Sequence, residues 1–229
     1  MPQTRSSFLT GVLLLAFVSS AQASMITFEE GDAASIEYNG MIDGEEQPGL
    51  SARTDLLFAS ASEDENALYF DIELENTSDD DIWDRSRLSG FGFTADPAVD
   101  KVAISGGPDA SDWTATEDKQ LPGLFDVDIC LASSESGNVC GTGGGGLEID
   151  ESAAFTLKMT FDSDNGAPDA LDLTEFGVRW QSLDSEHLEL KGESGVGTPT
   201  TQVPEPGMLA LLGVGLVAVG LASFRRRRA

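Results

Sequence analysis

The chain has 229 residues, with 40 acidic against 13 basic side chains and a net charge of −27 at pH 7. Such a charge repels nucleic acid and anionic lipid, which excludes polyanionic partners, and it favours solubility and the attraction of cations. One histidine and two cysteines are too few nitrogen and sulfur ligands for a zinc centre.

The first 23 residues read as a signal peptide. Arg5 is a small basic region, Phe8 to Val18 an apolar core, and Ala21-Gln22-Ala23 a small-x-small site for signal peptidase. Removal leaves Ser24 at the new N-terminus. The competing reading is a retained anchor, for which the apolar run is short. Residues 24–191 then allow one domain with a real core.

Through this domain the hydrophobic period is 2. Weak strand signals cover Met25 to Glu29, Ile36 to Asn39 and Thr54 to Ser60. From Leu68 to Glu75 the even positions are apolar and the odd ones mostly charged, which predicts a half-buried strand. Weak signals return at Leu88 to Thr94, Lys101 to Ser105 and Leu124 to Ile129. Phe155 to Phe161 alternates cleanly again, and Phe176, Val178 and Trp180 repeat the pattern. His187 to Lys191 is a last weak candidate. Turn residues punctuate these runs, at Asn39-Gly40, Asp43-Gly44, Asn76 to Asp79, Gly106-Gly107-Pro108 and Asn165-Gly166. No stretch sustains a helical period. The expectation is an all-β antiparallel β-sandwich, Ig-like or jelly-roll-like, with a barrel as the alternative. Gly192 to Gln202, rich in Gly, Ser, Thr and Pro, reads as a flexible stalk.

Several groups could carry chemistry. Asn76-Thr77-Ser78 fits a glycosylation pattern but reads as a turn in a bacterial product. Asp79-Asp80-Asp81 with Asp84 is an acidic cluster. Trp83 and Trp113 lie in polar segments, where exposed rings could stack on sugars; core or edge packing is the plainer reading. Trp180 sits on an apolar face and belongs to the core. Cys130 and Cys140 predict a disulfide in an oxidising compartment, with free thiols or a metal pair as the weaker alternative. In the loop-entropy model a closed loop of this size is worth about 2–3 kcal/mol.

Gly143 to Gly146 lacks the Gly-Lys-Ser/Thr of a phosphate loop. It reads as a turn whose glycines let it cross close over a strand. Asp162, Asp164, Asn165, Asp169 and Asp172 place hard oxygens in one loop, and calcium takes roughly six to eight of them. Gly166 stands where a third EF-hand ligand belongs, however, and no bidentate Glu follows. A solvated acidic turn competes with calcium in both loops, and no other cofactor is expected. His187 has no serine motif to serve, so it reads as an ordinary strand-edge residue rather than a triad member. No enzyme activity is expected.

The C-terminus is an address. Val203-Pro204-Glu205-Pro206 precedes an uncharged run of 18 residues, Gly207 to Phe224, and then Arg225, Arg226, Arg227 and Arg228. A helix of that length covers about 27 Å, close to the roughly 30 Å hydrocarbon core. The arginines should stay cytoplasmic and stop the transmembrane helix. The bland alternative is a plain anchor behind a proline hinge. Together, motif, apolar helix and arginines over residues 203–229 resemble a PEP-CTERM sorting signal. The resemblance implies a bacterial exported protein, cleaved near Pro204-Glu205-Pro206 by exosortase. Such a protein is held only transiently in the inner membrane and then passes to the cell surface or the polysaccharide matrix.

Three features inside the domain resemble the cistern family of PEP-CTERM proteins: Ser86 to Phe93, the Cys130 and Cys140 pair, and Gly141 to Leu147. That family implies no known activity. The expected role is structural or adhesive in an extracellular or biofilm matrix, with extracellular polysaccharide as a partner. A carbohydrate-binding module is the first alternative and a glycan hydrolase the second.

Overall fold

A computed structural model describes residues 25–202 apart from 110, 135, 136 and 163–165, with side chains placed as far as residue 200. The expected signal peptide and the transmembrane helix fall outside the described residues. The strands are β1 (Ile26–Glu29), β2 (Ala33–Ile42), β3 (Glu45–Ser62), β4 (Ala67–Asn76), β5 (Arg85–Asp96) and β6 (Lys101–Gly106), followed by β7 (Thr114–Gln120), β8 (Asp126–Ala132), β9 (Ser152–Thr160), β10 (Ala170–Ser185) and β11 (Leu190–Gln202). There is no helix among the described residues.

All the strands belong to one antiparallel sheet, in the order β6-β9-β4-β3-β2-β11-β10-β5-β8-β7, with β1 paired to the start of β10. The sheet coils until its two ends face each other, and the Glu117 carboxylate on β7 accepts the Val102 N–H of β6 at 2.6 Å. The result is nearly a barrel, and the expected pair of stacked sheets is corrected to a single continuous one. The cause lies in the long strands. β3 breaks register between Phe58 and Ser60, and β10 breaks it three times against β5. Glu175 and Ser182 take positive φ at two of the β10 breaks. Bulges of this kind add twist and bend a sheet round on itself.

The inward face holds the core. Phe58 stacks on Phe70 with ring centroids 4.9 Å apart, and Phe28 meets Phe70 edge-on at 5.3 Å. Tyr38 on β2 reaches Phe91 on β5, three strands away in the sheet order, at 6.4 Å. Alternation explains this economy: Phe70, Ile72 and Leu74 on β4 are buried while Asp71 and Glu73 point outward.

The expected stalk is corrected as well. Residues 190–202 form β11, hydrogen-bonded to β10 on one side and to β2 on the other. Two of its glycines answer a packing demand. A β-carbon on Gly197 would lie 2.7 Å from the Trp180 ring, and one on Gly195 would lie 3.1 Å from Leu183. Asn39-Gly40, expected as a turn, lies inside β2, while Asp43-Gly44 does turn between β2 and β3.

Candidate functional site

The three features that carried the second resemblance meet in space. β5 pairs with β8, placing Gly92 opposite Cys130. Cys130 and Cys140 form the expected disulfide, and both are fully buried. From Cys140 the chain crosses the outer face of β5 as a strap. Gly141, at φ +72°, passes so near Gly90 that a β-carbon on either would approach the other's Cα to 3.0 Å or less. The strap ends at Leu147, which exchanges two 2.9 Å hydrogen bonds with Leu88.

Side chains hold the strap down. Ser89 Oγ donates to the Gly141 carbonyl at 3.0 Å, and Gln181 Oε1 accepts the Gly143 N–H at 3.0 Å. Arg87 donates to the Gly144 carbonyl at 2.6 Å and pairs with Glu148 at 2.7 Å. Beneath it Leu121, Val127, Cys130, Ala132 and Cys140 make a small second core on the outside of the sheet, extended by Leu124 and Phe125. The expected turn with a close crossing is therefore a strap anchored along its length.

An open cleft of about 720 Å³ lies between the strap, the segment after β6 and the start of β9. Asp109, Asp112, Glu151, Ser133, Gly145 and Trp113 line it. Trp113 is only 5% exposed and tilts against Phe155 with centroids 5.7 Å apart, so it forms a packed wall. Trp83 is 1% exposed, and its indole N–H donates to the Pro48 carbonyl at 3.0 Å. Core packing, the plainer reading, holds for Trp83 and Trp113, and the alternative of sugar stacking is corrected, because neither offers a free ring face.

Among the acids suggested for calcium, Asp164 and Asn165 fall outside the described residues. Asp172 belongs to β10, and its carboxylate accepts the Thr27 hydroxyl at 2.5 Å. Asp169 is exposed just before that strand, and the Asp162 carbonyl accepts the Gly166 N–H. Asp79, Asp80 and Asp81 do converge, with carboxylate oxygens within 4.8 Å of one another, but all three are exposed. Asp84 serves elsewhere and caps the Glu186 N–H at 2.7 Å. His187 was expected on a strand and stands instead in the turn 186–189 between β10 and β11. The nearby Ser185 hydroxyl donates to the Ile82 carbonyl at 2.6 Å and accepts the Leu188 N–H. Val203, Pro204, Glu205, Pro206 and Arg225 to Arg228 lie outside the described residues.

Comparison with protein families matches residues 202–228 to the PEP-CTERM protein-sorting motif. The match begins at Gln202, the last residue of β11. A C-terminal motif of this kind implies secretion and a transient membrane anchor. The comparisons do not show the cistern resemblance. No curated protein and no solved structure matches the chain.

Proposed function

We propose that the chain is a non-catalytic surface or extracellular-matrix protein of a bacterium, sorted and cleaved by exosortase at its Pro204-Glu205-Pro206 motif. Its role in this reading is structural or adhesive, exerted by the folded barrel after release. The observation that carries the reading is the sorting motif at residues 202–228, which starts where the last barrel strand stops. The buried disulfide supports it, since such bonds persist in the oxidising compartments that exported proteins enter. The large acidic excess supports it too, by keeping an exported domain soluble and monodisperse.

The test is the intact mass of the protein recovered from cell surface and medium. A species beginning at Ser24, ending near Pro206 and two hydrogens lighter than the reduced form is expected. A species that keeps the terminal arginines would overturn sorting by cleavage and leave a plain membrane-anchored protein.

A further inference from the structure

Arg179 is the one arginine among the described residues that pairs with no carboxylate. It lies on β10 between Val178 and Trp180, which are both fully buried inside the barrel, so its side chain rises from the outer face. Its cross-strand neighbours are Gly90 on β5 and Val196 on β11. Gly90 is covered by the strap at Gly141. Two residues toward the N-terminus, Gly177 lies under Leu121, Leu124 and Phe125, against which a β-carbon would sit at 2.8–3.3 Å. Two residues toward the C-terminus, Gln181 holds the Gly143 N–H. The guanidinium therefore stands in a recess between the 121–125 turn and the glycine strap.

Arg179 Nε is buried without a hydrogen-bond partner. Among the described residues the arginines of β3 and β5 are ion-paired, Arg53 with Asp55, Arg85 with Asp184 and Arg87 with Glu148, whereas Arg179 pairs with no carboxylate. Burial lowers its pKa from the ordinary arginine value. Arginine stays charged regardless, and a half-buried charge without a counter-ion is costly. In a chain with 40 acids to 13 bases, a partner carboxylate would be the commonest thing to find. The Gln181 amide oxygen is engaged by the Gly143 N–H, and no hydrogen bond joins it to Arg179 Nε.

We propose that this recess is an anion site, in which the Arg179 guanidinium takes one carboxylate carried on a small, otherwise uncharged body. The planar fork of arginine matches a carboxylate with two parallel hydrogen bonds. The net negative charge of the chain selects against polyanions and acidic peptides, which would bring many repelling charges at once. A uronic-acid sugar and a simple organic acid share the required chemistry. The site does not depend on how the domain leaves the cell, so it stands or falls separately from the sorting reading.

The experiment titrates the full-length chain in detergent micelles with glucuronate, its uncharged methyl ester, acetate and a hexaglutamate peptide, following the Arg179 Nε–H resonance and the heat of binding. Saturable binding of glucuronate and none of the ester is expected. Arg179→Lys should weaken it by about tenfold or more, because lysine keeps the charge and loses the fork. Arg179→Gln should abolish it while leaving the melting temperature unchanged or raised, since it removes an uncompensated charge. Glucuronate tighter than acetate supports a saccharide carboxylate, and equal affinities support any small monocarboxylate. Unchanged binding in Arg179→Gln, no saturation by either acid, or tightest binding of the peptide would overturn the proposal.

Discussion

Gly90 and Gly141 pack backbone against backbone: a β-carbon on Gly90 would lie 3.0 Å from the Gly141 Cα, and one on Gly141 would lie 2.9 Å from the Gly90 Cα. Neither neighbour is a side-chain tip able to swing aside. Alanine at either position should lift the strap from β5 at a cost of about 1–3 kcal/mol, typical of overpacking. Gly144, with open space around it, should accept alanine with little change. Urea unfolding midpoints of the three variants check this, and equal midpoints would refute the close-crossing argument.

The disulfide should matter through the same strap. It closes a short loop, and both cysteines are fully buried. Replacing both with alanine should cost about 2–4 kcal/mol. Added reductant should act slowly on the native protein, because the sulfurs are reached only after local opening. Thiol labelling against time measures this, and labelling as fast as in denatured protein would contradict it.

Truncation separates the two readings of residues 192–202. A stalk could be removed without consequence, whereas a central strand could not. A chain ending at Lys191 should fail to give a cooperative thermal transition, while one ending at Gln202 should retain it. Within the strand, Gly197→Val should destabilise by about 3 kcal/mol or more, because the added atoms meet the Trp180 ring. Differential scanning calorimetry reads both results.

Tyr38 sets an alkaline limit. Burial pushes its phenol far above the ordinary tyrosine value, and the nearby Thr54 hydroxyl, which makes no well-formed hydrogen bond to it, offsets little of that. The folded value lies above the unfolded value of about 10, so the stabilising difference is complete below about pH 10 and is lost as pH rises beyond it. Stability should then fall by about 1.4 kcal/mol for each pH unit. Tyr38→Phe should flatten that slope, as followed by urea unfolding between neutral and alkaline pH. An unchanged slope would show that other groups govern alkaline unfolding.

Much of the sheet was legible from alternation. β4 and β9 have one wet and one buried face, and period 2 records that directly. β7 was missed because Thr114 to Gln120 is nearly all polar and lies at the end of the sheet order, so little apolar burial marks it. β11 was misread for the opposite reason. Gly195 and Gly197 look like linker residues, yet they are small because Trp180 and Leu183 occupy the space above them. Trp83 and Trp113 sat among polar neighbours in sequence, but a loop can turn one ring inward without any periodic signature. The strap could be anticipated from its glycines, though not its target. Arg179 carried no sequence signal, because an absent counter-ion becomes visible only when neighbouring strands are assembled.

The position of β11 between β2 and β10 has a consequence in time. β2 stands at the end of one run of strands, β6-β9-β4-β3-β2, and β10 begins the other, β10-β5-β8-β7. The strand that joins them is the last in chain order among the described residues, and the sorting motif begins at its final residue. Chains emerge N-terminus first, so every other strand can wait for its place in the sheet, but the ring cannot close until the C-terminal segment has arrived. The keystone strand and the sorting motif are thus delivered together, and the two runs of strands are joined only once the segment next to that motif has been made.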